Sequence, residues 1–158
     1  MPPCQAGDVS DLKDQLRADL TTAMKARDEL RTATLRMTLA AVSAEEVSGK
    51  EARQLSDADV EAVLRREAKK RKEAAEAFAG AGRAEQAARE RAEGEVLASY
   101  LPAQLEDSDL AALVADVITT TGASGMKDMG RVMGAATAAV AGRADGSRVA
   151  AEVRRQLG

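Results

Sequence analysis

Gly122-Ala123-Ser124-Gly125-Met126-Lys127-Asp128-Met129-Gly130-Arg131-Val132-Met133-Gly134 is the stretch that decides how the chain folds. Gly122 can take the positive φ that ends one helix, and Met126, Met129 and Met133 recur at i, i+3 and i+7 to line one side of the next. Gly142, in Gly142-Arg143-Ala144-Asp145-Gly146, stands where that second helix should stop. Lys127 and Arg131 lie four residues apart and share a different face, while Gly130 and Gly134 form another i, i+4 pair whose missing side chains admit a second backbone. The stretch predicts a helix between two turns, with Met126, Met129, Gly130, Met133 and Gly134 as a partner-docking face and cations beside it.

Outward from this helix the periodicity stays helical. A last helix from about Ser147 carries Val149, Val153 and Leu157, and a preceding one is built on Leu110, Leu113, Val114, Val117 and Ile118, with Asp107 or Ser108 as its cap. Pro102 cannot continue a helix and biases Leu101 away from helical geometry, which places a domain boundary at Tyr100-Leu101-Pro102. The C-terminal domain, 102–158, then reads as a compact three-helix bundle.

The N-terminal domain, 8–101, begins with a helix capped by Asp8 or Ser10 and lined by Val9, Leu12, Leu16 and Leu20, with Met24 continuing the row to an end near Arg27-Asp28. A second helix through Leu30, Leu35, Met37, Leu39 and Val42 is apolar over a wide arc, as expected for the centre of a domain. Ser48-Gly49 ends it. Ser56 opens a long third helix with Val60, Val63, Leu64, Ala68, Ala75 and Phe78 on its buried stripe. Arg65, Arg66, Lys69, Lys70, Arg71 and Lys72 crowd its middle, and the spacing predicts Glu61–Arg65 and Glu67–Arg71 ion pairs; an RNA-facing stripe is the alternative use of these bases. Gly80-Ala81-Gly82 breaks the helix, and Arg83 to Tyr100 forms a fourth that returns as an antiparallel hairpin, with Glu90, Glu93 and Glu95 answering the bases of the third. The fold class is therefore all-α: an N-terminal helical domain with a long antiparallel hairpin, then the C-terminal bundle. Residues 1–7 read as a flexible tail, and its Cys4 has no second cysteine with which to form an internal disulfide.

Composition agrees with this architecture. The 158 residues are 45% hydrophobic but hold one Phe, one Tyr and no Trp, so the core must come from Leu, Val, Met and Ala, which suits close helix packing more than a sheet. No run approaches a membrane span and the first residues lack the pattern of a signal peptide, so a cytoplasmic protein with no membrane association is expected. The net charge of −3 argues against indiscriminate binding to phosphate backbones. Its distribution is uneven: residues 122–158 hold six bases against three acids, an excess of three positive charges, leaving residues 1–121 at −6.

Catalytic machinery is not visible. There is no histidine, and a single cysteine excludes a thiolate metal site, so no metal and no cofactor are expected. The carboxylates are interleaved with bases in the manner of exposed ion pairs. Gly80-Ala81-Gly82 follows a helix and lacks a Gly-Lys-Ser/Thr ending, unlike a phosphate loop. Ser124-Gly125-Met126-Lys127 matches Ser-x-x-Lys without the companion motifs of the enzymes that use it.

The same words carry a resemblance. Gly122-Ala123-Ser124, Met126-Lys127-Asp128-Met129-Gly130, Val132-Met133-Gly134 and Gly142-Arg143-Ala144-Asp145-Gly146 look like the C-terminal signature of the GatB/YqeY family. Leu35-Arg36-Met37, Leu39-Ala40-Ala41, Arg71, Glu73, Phe78, Gly82-Arg83, Glu90, Glu93, Glu95 and Tyr100-Leu101-Pro102 extend the likeness from about Leu12 to Leu157. Gly125 replaces a more usual Ser, and Ala138-Ala139 stand where Pro or Lys is common. Free-standing YqeY proteins resemble the tail domain of GatB, a subunit of the glutamyl- or aspartyl-tRNA amidotransferase. The resemblance implies a tRNA-binding or tRNA-associated accessory module, with Lys127, Arg131, Arg143 and Arg148 contacting phosphates. It also brings, by association, the label carbon–nitrogen ligase with glutamine as amido-N-donor, although no residue set for catalysis by the chain alone is seen. A protein-interaction module using the Met/Gly helix face is the rival reading, and a non-catalytic component of such a ligase is the third.

Overall fold

The computed structural model describes residues 10–158. Among the described residues the chain is helical throughout with no strand: α1 (Asp11–Lys25), α2 (Glu29–Glu46), α3 (Asp57–Gly80), α4 (Ala84–Ala98), α5 (Asp107–Thr121), a 3₁₀ turn (Met126–Asp128), α6 (Met129–Val140) and α7 (Gly146–Leu157). The all-α expectation holds. Asp8, Val9, Cys4 and the rest of the tail lie outside the described residues. The chain divides into two compact units, the first ending at Leu101 and the second running Pro102–Gly158.

In the first unit, Ser10 caps α1 by accepting from the Lys13 N–H, and its hydroxyl donates to Asp57 at 2.6 Å, which ties the starts of α1 and α3 together. The Leu12 N–H also reaches Asp57, and these two bonds hold the Asp57 carboxyl below its usual range. Ser56 and Asp59 form a reciprocal capping box at the start of α3. Leu16, Leu35, Val42, Leu55, Val60, Val63, Leu64 and Leu97 form the core, with α2 touching α1, α3 and α4. Met24 does not continue the α1 row: it is 49% exposed, and Ala23 turns inward instead. Met37 is likewise half exposed. The centre of α2 is filled by Thr34 and Thr38, whose hydroxyls donate to the Leu30 and Thr34 carbonyls one turn back and so enter the core already satisfied.

Helices α3 and α4 are antiparallel neighbours joined through Ala81, Gly82 and Arg83, with Gly82 at φ 74. The Glu61–Arg65 pair forms at 2.7 Å, but Glu67–Arg71 does not. Glu67 takes Lys70, and Arg71 crosses to α4, where it meets Glu90 at 3.3 Å and Glu93 at 3.4 Å. Burial explains the exchange. Arg71 and Glu93 are nearly enclosed, so their attraction is much less screened than that of an exposed i, i+4 pair. Glu93 also receives Arg89 at 3.1 Å. Ala75 and Ala87 are the buried apolar residues of the distal hairpin, where small side chains let the helices lie close.

The second unit packs Leu110, Val114, Val132, Ala136, Val140, Ala144, Val149 and Val153 into a core of its own. The α5 cap position is Glu106, with no side-chain cap bond, rather than Asp107 or Ser108. Gly122 ends α5 at φ 67 as its sequence position implies, and Asp145 caps α7 by accepting from the Arg148 N–H. The stop of α6 falls one residue before Gly142: Ala141 and Gly142 are both left-handed, at φ 48 and 77.

Candidate nucleic-acid interface

The methionine helix begins as the 3₁₀ turn Met126–Asp128 and becomes α-helical at Met129. Asp128 organises the junction. It accepts from the Ser124 N–H at 3.0 Å and from Arg131 at 3.2 Å, and the Ser124 bond first, then the nearby Arg131 and Lys127 charges, hold its carboxyl below the usual range. Its place, four residues after Ser124 and three before Arg131, was the one signal of this role in the sequence.

The inward line of α6 is Val132, Ala136 and Val140, and Met129 and Met133 pack half-buried against the same core. Met126 is 48% exposed. Gly130 and Gly134 are exposed, and a Cβ built at either would meet nothing within 4 Å. The proposed docking face is therefore divided: two of its methionines serve the bundle, while Met126 and the two glycines are open.

The four cations are divided as well. Lys127 is exposed, without a hydrogen bond or ion pair to another described residue, and Arg131 is exposed and paired only to Asp128. With Gly130 and Gly134 they form one strip along the start of α6, at i, i+3, i+4 and i+7. Arg143 turns back on the other end of the helix, where its guanidinium donates to the Val140 and Ala139 carbonyls at 3.1 and 3.3 Å and supplies the C-terminal cap. Arg131 stands in the first turn of α6 and Arg143 beyond its last, so the two serve opposite ends of the helix. Arg148 donates to the Leu105 carbonyl and to Asp107, each at 2.8 Å, pinning the segment before α5 onto α7. Of the bases not singled out in the sequence, Arg155 is engaged by Glu152, whose carboxyl is held down to about 2 by Arg155 and then Gln156. Arg154 is exposed in the last turn of α7.

A profile of the family YqeY, described as Yqey-like protein, matches residues 13–157. The chain belongs to the Yqey-like protein family. No curated protein matches it. In this Yqey-like protein the matched range extends over both units.

Among the described residues no cluster of carboxylates is arranged to hold a metal ion, and no helix is long and apolar enough to cross a membrane. A second half-buried polar cluster of the first unit surrounds Tyr100. Tyr100 donates to Asp19 at 2.5 Å and accepts from Arg31 at 3.1 Å, with the guanidinium 6.0 Å from the ring centre. Burial, reinforced by the Asp19 bond, pushes the phenol up to about 12. Sequence reading placed Tyr100 at a boundary and missed its bonds to α1 and α2, because partners 81 and 69 residues away leave no trace in local spacing.

Proposed function

We propose that this Yqey-like protein is a tRNA-associated accessory module whose phosphate contacts come from the exposed strip Lys127, Gly130, Arg131 and Gly134. The observation that carries the reading is the open approach at the two glycines beside two exposed cations. A phosphate can reach the helix there, next to the positive end of the α6 dipole. The likeness of the Met126–Gly134 words to the amidotransferase tail domain supports tRNA as the polyanion, and phosphate contacts of this kind would position the RNA without reading its sequence. Arg143 and Arg148 support the strip indirectly, by capping α6 and closing the bundle.

Binding of purified protein to total tRNA, measured at several salt concentrations, tests this. Log affinity should fall with log salt, and Lys127→Ala or Arg131→Ala should each lower the slope by roughly 0.7–0.9 while leaving helicity unchanged. Retention of the full slope in both variants would remove the strip from the interface.

The exposure of Met126 favours a second reading, in which the same face seats a partner helix. Co-purification of one protein, lost in Met126→Ala and indifferent to RNA, would support it. As a non-catalytic component of a glutamine-dependent carbon–nitrogen ligase the chain would act only beside catalytic subunits, and alone it is expected neither to hydrolyse glutamine nor to transfer its amide.

A further inference from the structure

The α3–α4 hairpin carries a surface that the tRNA reading does not use. A cleft of about 530 Å³ runs between the two helices. Its floor is made of small residues, Ala75, Gly94 and Ala98 among them, and its rims bear Lys72 and Glu76 from α3 and Arg91 and Glu95 from α4. Glu90 also faces it but is spent on Arg71.

The four rim charges form a pattern. The Cβ position of Gly94 lies 3.7 Å from the Cβ of Arg71, which fixes the antiparallel register. In that register Glu95 stands within about 3 Å of rise of Lys72, and Arg91 within about 3 Å of Glu76. Opposite signs therefore face each other across the cleft at both levels, and signs alternate along each rim. None of the four takes part in an ion pair of 4.0 Å or less with another described residue, although their neighbours Lys69, Lys70, Arg71 and Arg89 all do. Two bases and two acids sum to zero, so the cleft offers a phosphate backbone no net attraction.

We propose that this cleft seats a second copy of the chain, hairpin against hairpin, about a two-fold axis running along the cleft. Such an axis exchanges the rims while preserving height. Lys72 of one copy then meets Glu95 of the other, Glu76 meets Arg91, and each contact occurs twice, as an isologous interface requires. The alternating rims are thus complementary to themselves. The small floor lets the helices approach closely, and the absence of large apolar side chains makes the association weak and dependent on charge.

Sedimentation equilibrium of the full-length protein over rising concentration tests the assignment, with far-ultraviolet spectra verifying helicity. The wild type should show a reversible monomer–dimer equilibrium that weakens with salt. Lys72→Glu alone and Glu95→Lys alone should each set like charges against each other twice per dimer and weaken it about tenfold or more. An equimolar mixture of the two variants should associate more tightly than either alone, because the mixed pair keeps one original contact and restores the other with reversed sign. Repair within one chain could not produce that recovery. Glu76→Lys mixed with Arg91→Glu repeats the experiment should the first pair fail to fold. A wild type that stays monomeric up to millimolar concentration, a dimer indifferent to the reversals, or a mixture no tighter than its components would each overturn the proposal.

Discussion

Tyr100 is the only phenol in the chain and there is no tryptophan, so its titration is visible directly in the near-ultraviolet. Its neutral form is favoured by burial and by donation to Asp19, which push the phenol from the ordinary 10.0 up to about 12. Between those values the unfolded chain has released the proton and the native one has kept it, so stability falls as pH rises. The contribution is complete below pH 10 and disappears through about pH 12. Tyrosinate absorbance should stay low at a pH where a free phenol is half ionised, and Tyr100→Phe should flatten the alkaline decline of the unfolding midpoint. A titration centred near 10 would mean that the bonds to Asp19 and Arg31 do not persist in solution. Arg71 and Glu93 set up a second test at this scale. Glu93→Ala leaves the enclosed Arg71 with Glu90 as its one remaining carboxylate and should cost about 1–2 kcal/mol in urea unfolding, whereas Lys69→Ala, from an exposed pair, should cost under about 0.5 kcal/mol.

At the scale of the helix, two kinds of glycine separate cleanly. Gly122 sits at φ 67 with open space around it, so Gly122→Ala is costly only through its backbone, by about 1 kcal/mol. Gly134 lies inside α6 with equally open space and an ordinary helical φ, so Gly134→Ala should stabilise the protein by up to about 1 kcal/mol. If the same substitution weakens tRNA binding while raising the thermal midpoint, that glycine is kept for approach and not for folding. The helices themselves were legible because periodicity, the Ser10, Ser56 and Asp145 caps and the Gly122 stop are all local. What stayed hidden was the choice among competing partners. Glu67 and Glu93 are both within reach of Arg71, and only the register of α4 decides between them. Met24 misled for a different reason: it lies about 100° around α1 from Ala23, and it is Ala23, seven residues after the buried Leu16, that stays on the inward line. The candidate interface divided in the same way: the exposed Lys127 and Arg131 are one turn apart and could be paired on paper, whereas the work of Arg148 depends on Leu105 and Asp107, more than forty residues upstream.

Those upstream contacts matter most for the molecule as a whole, because they set how much chain the second unit needs. With under about 60 residues it is near the size where one helix bundle is only marginally stable, so each bond outside the helices weighs heavily. The segment between Pro102 and α5 lies on that unit's own core: Leu105 packs there, its N–H donates to the Arg143 carbonyl at 2.7 Å, and its carbonyl accepts from Arg148. Gln104 adds a longer bond to the Gly142 carbonyl. If the boundary falls at Leu101-Pro102, a fragment of residues 102–158 should unfold cooperatively by itself, and limited proteolysis of the full chain should cut ahead of Gln104. A fragment of residues 108–158 keeps all of α6 and α7 and almost all of α5, yet it loses the Leu105 side chain and leaves Arg148 and the Arg143 carbonyl without their partners. It should melt well below the longer fragment, or fail to show a cooperative transition. Equal melting of the two would mean that the helices alone hold the bundle and that Arg148 is free for another use, which would return it to the list of phosphate contacts.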